Sequence, residues 1–132
     1  MIEIKVMCDY CADGLWRNGY AIDAGMLAEE FNIPDEVIKP LAKEIEEWQE
    51  LYEGFEFYDP NVDTQVIMQR PEYFKFREMG PHIAEKIRKL LPDDVRVIYF
   101  YEDSGREYIY YPGGKVRIFN RDPDQDRIDF DD

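Results

Sequence analysis

A chain of 132 residues with 45% hydrophobic and 15% aromatic content can build one sizeable core, which excludes a wholly disordered protein. Sixteen basic against thirty acidic residues leave a net charge of −14. That balance disfavours binding to nucleic acid or to an anionic membrane and favours a basic protein partner.

No apolar run reaches the roughly 18–20 residues that cross a bilayer. The N-terminus MIEIKVMCDY carries neither a basic n-region nor a long apolar h-region, so the expected location is the cytoplasm. Cys8 and Cys11 could close only a very small loop, and no structural disulfide is expected.

Ile2, Ile4 and Val6 alternate with Glu3, Lys5 and Met7, predicting a half-buried strand at or near a sheet edge. Cys8–Ile22 follows, punctuated by Gly14, Asn18 and Gly19 and anchored by Trp16. It reads as a recognition loop, or as a hairpin in which Gly14-Leu15-Trp16-Arg17 re-enters the sheet. Met26–Phe31 has room for one or two helical turns. Pro34 suits the first position of a helix, with Asn32 as a cap and Asp35-Glu36 at the positive end. A break or kink is expected at Pro40, leaving Leu41–Gly54 as the helix proper. Leu41, Ile45, Trp48, Tyr52 and Phe55 step by four, three, four and three, one buried stripe. Glu46, Glu47, Glu50 and Glu53 occupy the remaining surface.

A long connection over 56–70 contains the turn Asp59-Pro60-Asn61, with Val66-Ile67-Met68 as a short strand or buried loop. Pro71–Leu91 reads as a second helix with Tyr73, Phe76, Ile83, Ile87 and Leu90 on its buried face. Gly80-Pro81 should kink it or split it into 72–79 and 81–91. Next comes the strand VRVIYFY, apolar on both faces and therefore interior to its sheet. A hairpin follows, with strands at Glu107–Tyr111 and Lys115–Phe119 flanking the turn Pro112-Gly113-Gly114. These elements predict an α+β two-layer sandwich: a mainly antiparallel sheet of about four strands with two main helices on one face. Residues 1–120 form the expected single domain, and 121–132 an acidic, mobile tail with little to bury.

Candidate chemistry is sparse. Cys8-Asp9-Tyr10-Cys11 has the spacing of a redox pair or half a zinc site, but His82 is the lone histidine and a second cysteine pair is missing. Asp122, Asp124 and Asp126 match the first half of a calcium loop; Arg127 then stands where the loop needs glycine, and position twelve falls beyond Asp132. Those carboxylates at strand spacing instead suit the basic sites that hold phosphates in a partner. His82 fits a first-turn surface position better than a catalytic base. Asp93-Asp94 would serve glycoside hydrolysis only if a cleft separated them suitably. With neither a nucleophile motif nor a phosphate loop, no enzyme, metal or cofactor is expected.

Leu15-Trp16, the Trp48-centred helix, Asp59-Pro60, the Phe76…Gly80…Ile83-Ala84 helix and the strand Val97-Ile98-Tyr99-Phe100 follow one another in a familiar order and spacing. Over roughly residues 2–102 this set resembles small acidic bacterial immunity proteins of polymorphic toxin and contact-dependent growth inhibition systems. The hairpin and acidic tail after Tyr101 lie beyond the likeness. The resemblance implies a non-catalytic protein, monomeric when free, that binds and neutralises a toxin domain, with a basic nuclease as the expected target. The partner-binding candidates are Glu46, Glu47, Glu50, Glu53, Trp16, Asp122, Asp124 and Asp126. A structural adaptor or homo-oligomer is the second reading. A metal- or redox-active protein using Cys8 and Cys11 is the third.

Overall fold

The computed structural model describes residues 1–102 and 104–120. In chain order the elements are β1 (Glu3–Val6), β2 (Leu15–Arg17), β3 (Tyr20–Ile22), α1 (Ala24–Phe31), α2 (Asp35–Phe55), α3 (Thr64–Ile67), α4 (Pro71–Leu90), β4 (Arg96–Tyr101), β5 (Arg106–Tyr110) and β6 (Val116–Asn120). The strands form one six-stranded sheet in the order β3-β2-β1-β4-β5-β6. Its class is the expected α+β, but the four-strand, two-helix, mainly antiparallel description is too small and too simple. The sheet is mixed, because β1 and β4 run parallel with Ile4 opposite Val97 and Val6 opposite Tyr99. A parallel pair needs a long crossover, here supplied by the helical segment between them.

The undercount arose in Cys8–Ile22, where β2 and β3 form a hairpin on β1. Each is only three residues long, too short for alternation to stand out. Their addition places β1 inside the sheet, not at its edge. The turn between them depends on Asn18 and Gly19, both at positive φ (46° and 87°). Asn18 also accepts the Glu3 N–H at 2.7 Å, tying that turn to β1.

The core lies between one sheet face and the helices. Ile4, Val6, Leu15, Val97 and Tyr99 meet Ile45, Trp48, Phe76, Ile83 and Ile87, all at most 3% exposed. Trp48 stacks on Phe76 with centroids 5.7 Å apart and planes at 12°, pinning α2 to α4. Two exposed Lys–Glu pairs, Lys75–Glu47 and Lys86–Glu44, each at 2.6 Å, cross the same helix pair.

Both prolines expected to interrupt helices sit inside continuous ones: Pro40 in α2 and Pro81 in α4. Each removes one backbone donor. The buried stripe continues on both sides, through Ile38 and Leu41 in α2 and Phe76 and Ile83 in α4. That burial holds each helix together across its proline. Pro34 is the N-cap of α2, one place before the expected position, and Asn32 ends α1 in the left-handed conformation at φ 55°. Val66–Met68 forms no strand; Val66 and Ile67 close the short helix α3, which Met68 caps.

Gly80 faces Tyr99. A Cβ at position 80 would fall 2.4 Å from the Tyr99 ring, so α4 approaches β4 this closely only because that residue is glycine. Arg88 is buried at the far end of α4, donating to the carbonyls of Leu91, Pro92, Val95 and Tyr110. It thereby joins the helix end to the following turn and to β5. On the opposite sheet face, Ile98 and Ile109 form a separate small cluster. There Lys5 meets the buried Glu107 carboxylate at 2.8 Å.

Candidate functional site: an acidic cleft beside helix α2

The α2 stripe that buries Ile45, Trp48 and Tyr52 leaves Glu46, Glu50 and Glu53 on another side of the helix. The hairpin and the start of α1 bring Asp13 and Asp23 to that side. Together they line a cleft of about 420 Å³ that, among the described residues, contains five carboxylates and no basic residue. Two of the five have local work. Asp23 caps α1 by accepting the Met26 N–H at 2.8 Å, and Glu53 accepts from Gln49 Nε2 at 3.2 Å. Small residues, Ala12 and Ala42 among them, keep the walls low.

Gln49 is also part of the lining. It is 5% exposed, and its Nε2 donates to the Asp9 carbonyl at 2.7 Å, linking α2 to the loop after β1. Its Oε1 is buried, and among the described residues no donor reaches it. An orphaned buried acceptor is uncommon and costs free energy.

The candidates from sequence do not all converge here. Glu46, Glu50 and Glu53 share the cleft, whereas Glu47 points toward α4 and pairs with Lys75 at 2.6 Å. That neighbour holds the Glu47 carboxyl below its ordinary range. Glu47 and Glu50 also border a cleft of about 580 Å³, where Arg70 makes the lining mixed in charge. Trp16 follows the buried Leu15 on β2 and is half-buried on the other face of the sheet, beside Lys5 in register. Its indole N–H donates to the Met7 carbonyl at 2.9 Å. Asp122, Asp124 and Asp126, and with them the calcium-loop match and the acidic tail, lie outside the described residues.

Asp13, Asp23 and Gln49 escaped the reading of the sequence. Gln49 was accessible, since 46, 49, 50 and 53 share one helix face. Asp13 and Asp23 were not, because only the hairpin carries them to α2.

Cys8 and Cys11 are free thiols, Cys8 buried and Cys11 exposed. Burial pushes the Cys8 thiol far above its ordinary value of 9.0, and Glu102, Glu53 and Asp9 push it the same way. A nucleophilic or metal-binding thiolate needs the opposite surroundings. Among the described residues no three histidine, cysteine or carboxylate side chains converge as metal ligands. No helix among them is long and apolar enough to cross a membrane.

The model of the Serratia CdiI immunity protein-like family matches residues 2–102, most of the chain. The chain belongs to that family. Membership supports an immunity role in contact-dependent growth inhibition, which implies a toxin as partner and suggests a non-catalytic protein. Comparisons with curated proteins and with solved structures return no match. The acidic cleft, built from residues 12–53, falls within the family match; the β5–β6 hairpin falls outside it.

Proposed function

We propose that this protein neutralises its toxin by capturing basic side chains of the toxin on the acidic side of α2. The observation that carries the reading is a cleft lined, among the described residues, by five carboxylates and no basic residue, on a chain of the immunity family. Carboxylates held together in this way create a field that draws cations in, and close charge pairs formed there couple by about 1.5–7 kcal/mol. A toxin that acts on nucleic acid needs Lys and Arg to hold phosphates. Covering those residues would both bind the toxin and block its substrate, which makes a basic nuclease the target that best suits this surface. Met26, 52% exposed and next in sequence to Gly25 of the lining, offers an apolar anchor for the toxin.

The test is growth protection. The toxin domain encoded beside this protein is expressed in sensitive cells, alone and with the immunity chain. Protection by the wild type, lost in Glu46→Lys/Glu50→Lys at equal protein level, supports the reading. Full protection by the doubly reversed variant overturns the acidic-capture mechanism, and absence of protection by the wild type overturns the immunity pairing.

The edge strand β6 favours a second reading. Val116 and Ile118 on it are 41% and 53% exposed, an apolar edge suited to pairing with another copy of the chain. A concentration-dependent dimer in light scattering, abolished by Ile118→Lys, would move the account toward a homo-oligomer.

A further inference from the structure

We propose that the cleft on the α4 side of α2 is the socket for an apolar anchor of the toxin: one aliphatic or aromatic side chain carried next to a lysine or arginine. The proposal takes the toxin as partner from the acidic-capture reading; the cleft itself stands on the packing around Gly54. Glu47, Glu50, Leu51, Gly54 and Phe55 line it from α2, and Arg70 and Glu72 close it from the start of α4, around about 580 Å³. Steps of three, one, three and one put the five α2 residues on a single side of the helix. At about 100° per residue, Gly54 falls between Glu50 and Leu51 on the circumference, one turn further along, in the middle of the lining.

Among the described residues nothing calls for glycine at 54. Its φ is not positive, and the helix ends two residues later on Glu56, which takes the left-handed conformation itself. A Cβ at position 54 would meet no atom within 4 Å, whereas one at Gly80 would strike Tyr99. Glycine is a poorer helix residue than alanine, so it weakens the last turns of α2 for no reason of internal packing. What it provides is access. With no side chain at 54, the half-buried Leu51 and the buried Phe55 form the floor of the cleft. The Phe55 ring is held against Tyr73 and Phe76, with centroids 5.5 and 5.6 Å away. A rigid apolar floor under a gap one side chain wide fits the anchor residue of a partner. The rim sets the charge beside that anchor. Glu47 is committed to Lys75, which leaves the exposed Glu50 and Glu72 against one cation, Arg70. Glu50 also lines the acidic cleft, so the two clefts meet along α2 and a basic segment crossing Glu50 reaches both.

The experiment measures dissociation of the full chain from the toxin domain encoded beside it, for the wild type, Gly54→Ala, Gly54→Leu, Gly54→Gln and Glu46→Lys. The side chains added at 54 enter open space on a helix that favours them over glycine, so their urea midpoints should equal or exceed that of the wild type. Gly54→Leu and Gly54→Gln should each speed dissociation about tenfold or more, because they fill the space the anchor needs, and Gly54→Ala by less than about threefold. Unchanged or slower dissociation in either of the two longer variants overturns the proposal. So does a concentration-dependent dimer of the free wild type that Gly54→Leu abolishes, which would assign the cleft to a second copy. Glu46 lines the acidic cleft and not this one, and therefore separates the two readings. Faster dissociation in Glu46→Lys with none in the Gly54 variants leaves acidic capture standing and removes the socket; the reverse result supports the socket against acidic capture. Absence of any complex with the wild type overturns both.

Discussion

Replacing Gly80 by alanine should destabilise the protein, although helix propensity alone predicts the reverse. Alanine in a helix interior is favoured over glycine by about 1 kcal/mol. At position 80, however, the new Cβ would lie 2.4 Å from Tyr99 Cε1 and 2.5 Å from its Cζ and hydroxyl oxygen. Ordinary contact begins near 3.4 Å, so ring or helix must move by about 1 Å. The ring has little freedom: Tyr99 is 1% exposed, with Tyr101 at 5.1 Å and Trp48 at 6.3 Å between centroids. Overpacking of this kind costs about 1–3 kcal/mol, which at its upper end leaves a net loss of about 2 kcal/mol after the propensity gain. Gly54 in α2 provides the control, since a Cβ there meets nothing within 4 Å. Urea unfolding should therefore move the midpoint of Gly80→Ala down and that of Gly54→Ala up, with unchanged slopes. A Gly80→Ala protein as stable as Gly54→Ala would refute the packing of α4 on Tyr99.

Alkaline pH should unfold the protein through its buried acids. Cys8 and Tyr99 are both raised by burial above ordinary values of 9.0 and 10.0. A raised folded-state value means that their contribution is full below the unfolded value and is lost as pH rises beyond it, because only the unfolded chain then releases the proton. Stability should fall by about 1.4 kcal/mol per pH unit for each group above roughly pH 9–10, and Cys8→Ala should remove one share of that slope in a denaturation series. Arg88→Met should cost roughly 2–4 kcal/mol, because it strips a charged donor from four main-chain carbonyls at the end of α4 and on β5. Thermal unfolding checks this, and a loss below about 0.5 kcal/mol would show that those carbonyls find other donors.

The parts of the fold legible in the sequence were those with long, regular burial. The α2 stripe at Leu41, Ile45, Trp48, Tyr52 and Phe55 and the α4 stripe at Tyr73, Phe76, Ile83 and Ile87 are the buried faces observed. The run from Val97 to Tyr101 is an interior strand because it is apolar on both sides. Proline was weighed too heavily: local rules see the lost N–H of Pro40 and Pro81, but not the tertiary burial that outweighs it. The three-residue strands β2 and β3 depend on pairing across the chain, with Leu15 opposite both Val6 and Ile22, and such contacts leave little local trace. The candidate site was half legible for the same reason. Helical spacing groups Glu46, Glu50 and Glu53, while Asp13 and Asp23 join them only once the hairpin has folded.

The most direct test of acidic capture is the association rate of the toxin domain with the wild type and with Glu46→Lys/Glu50→Lys, measured by stopped flow across a salt series. Exposed charges on the cleft side contribute little to folding, so both proteins should unfold at nearly the same urea midpoint. The account predicts association slowed about tenfold or more at low salt in the reversed variant, with a flatter salt dependence than the wild type. Equal rates and equal salt slopes in two equally stable proteins would contradict it, and would place the toxin on another surface.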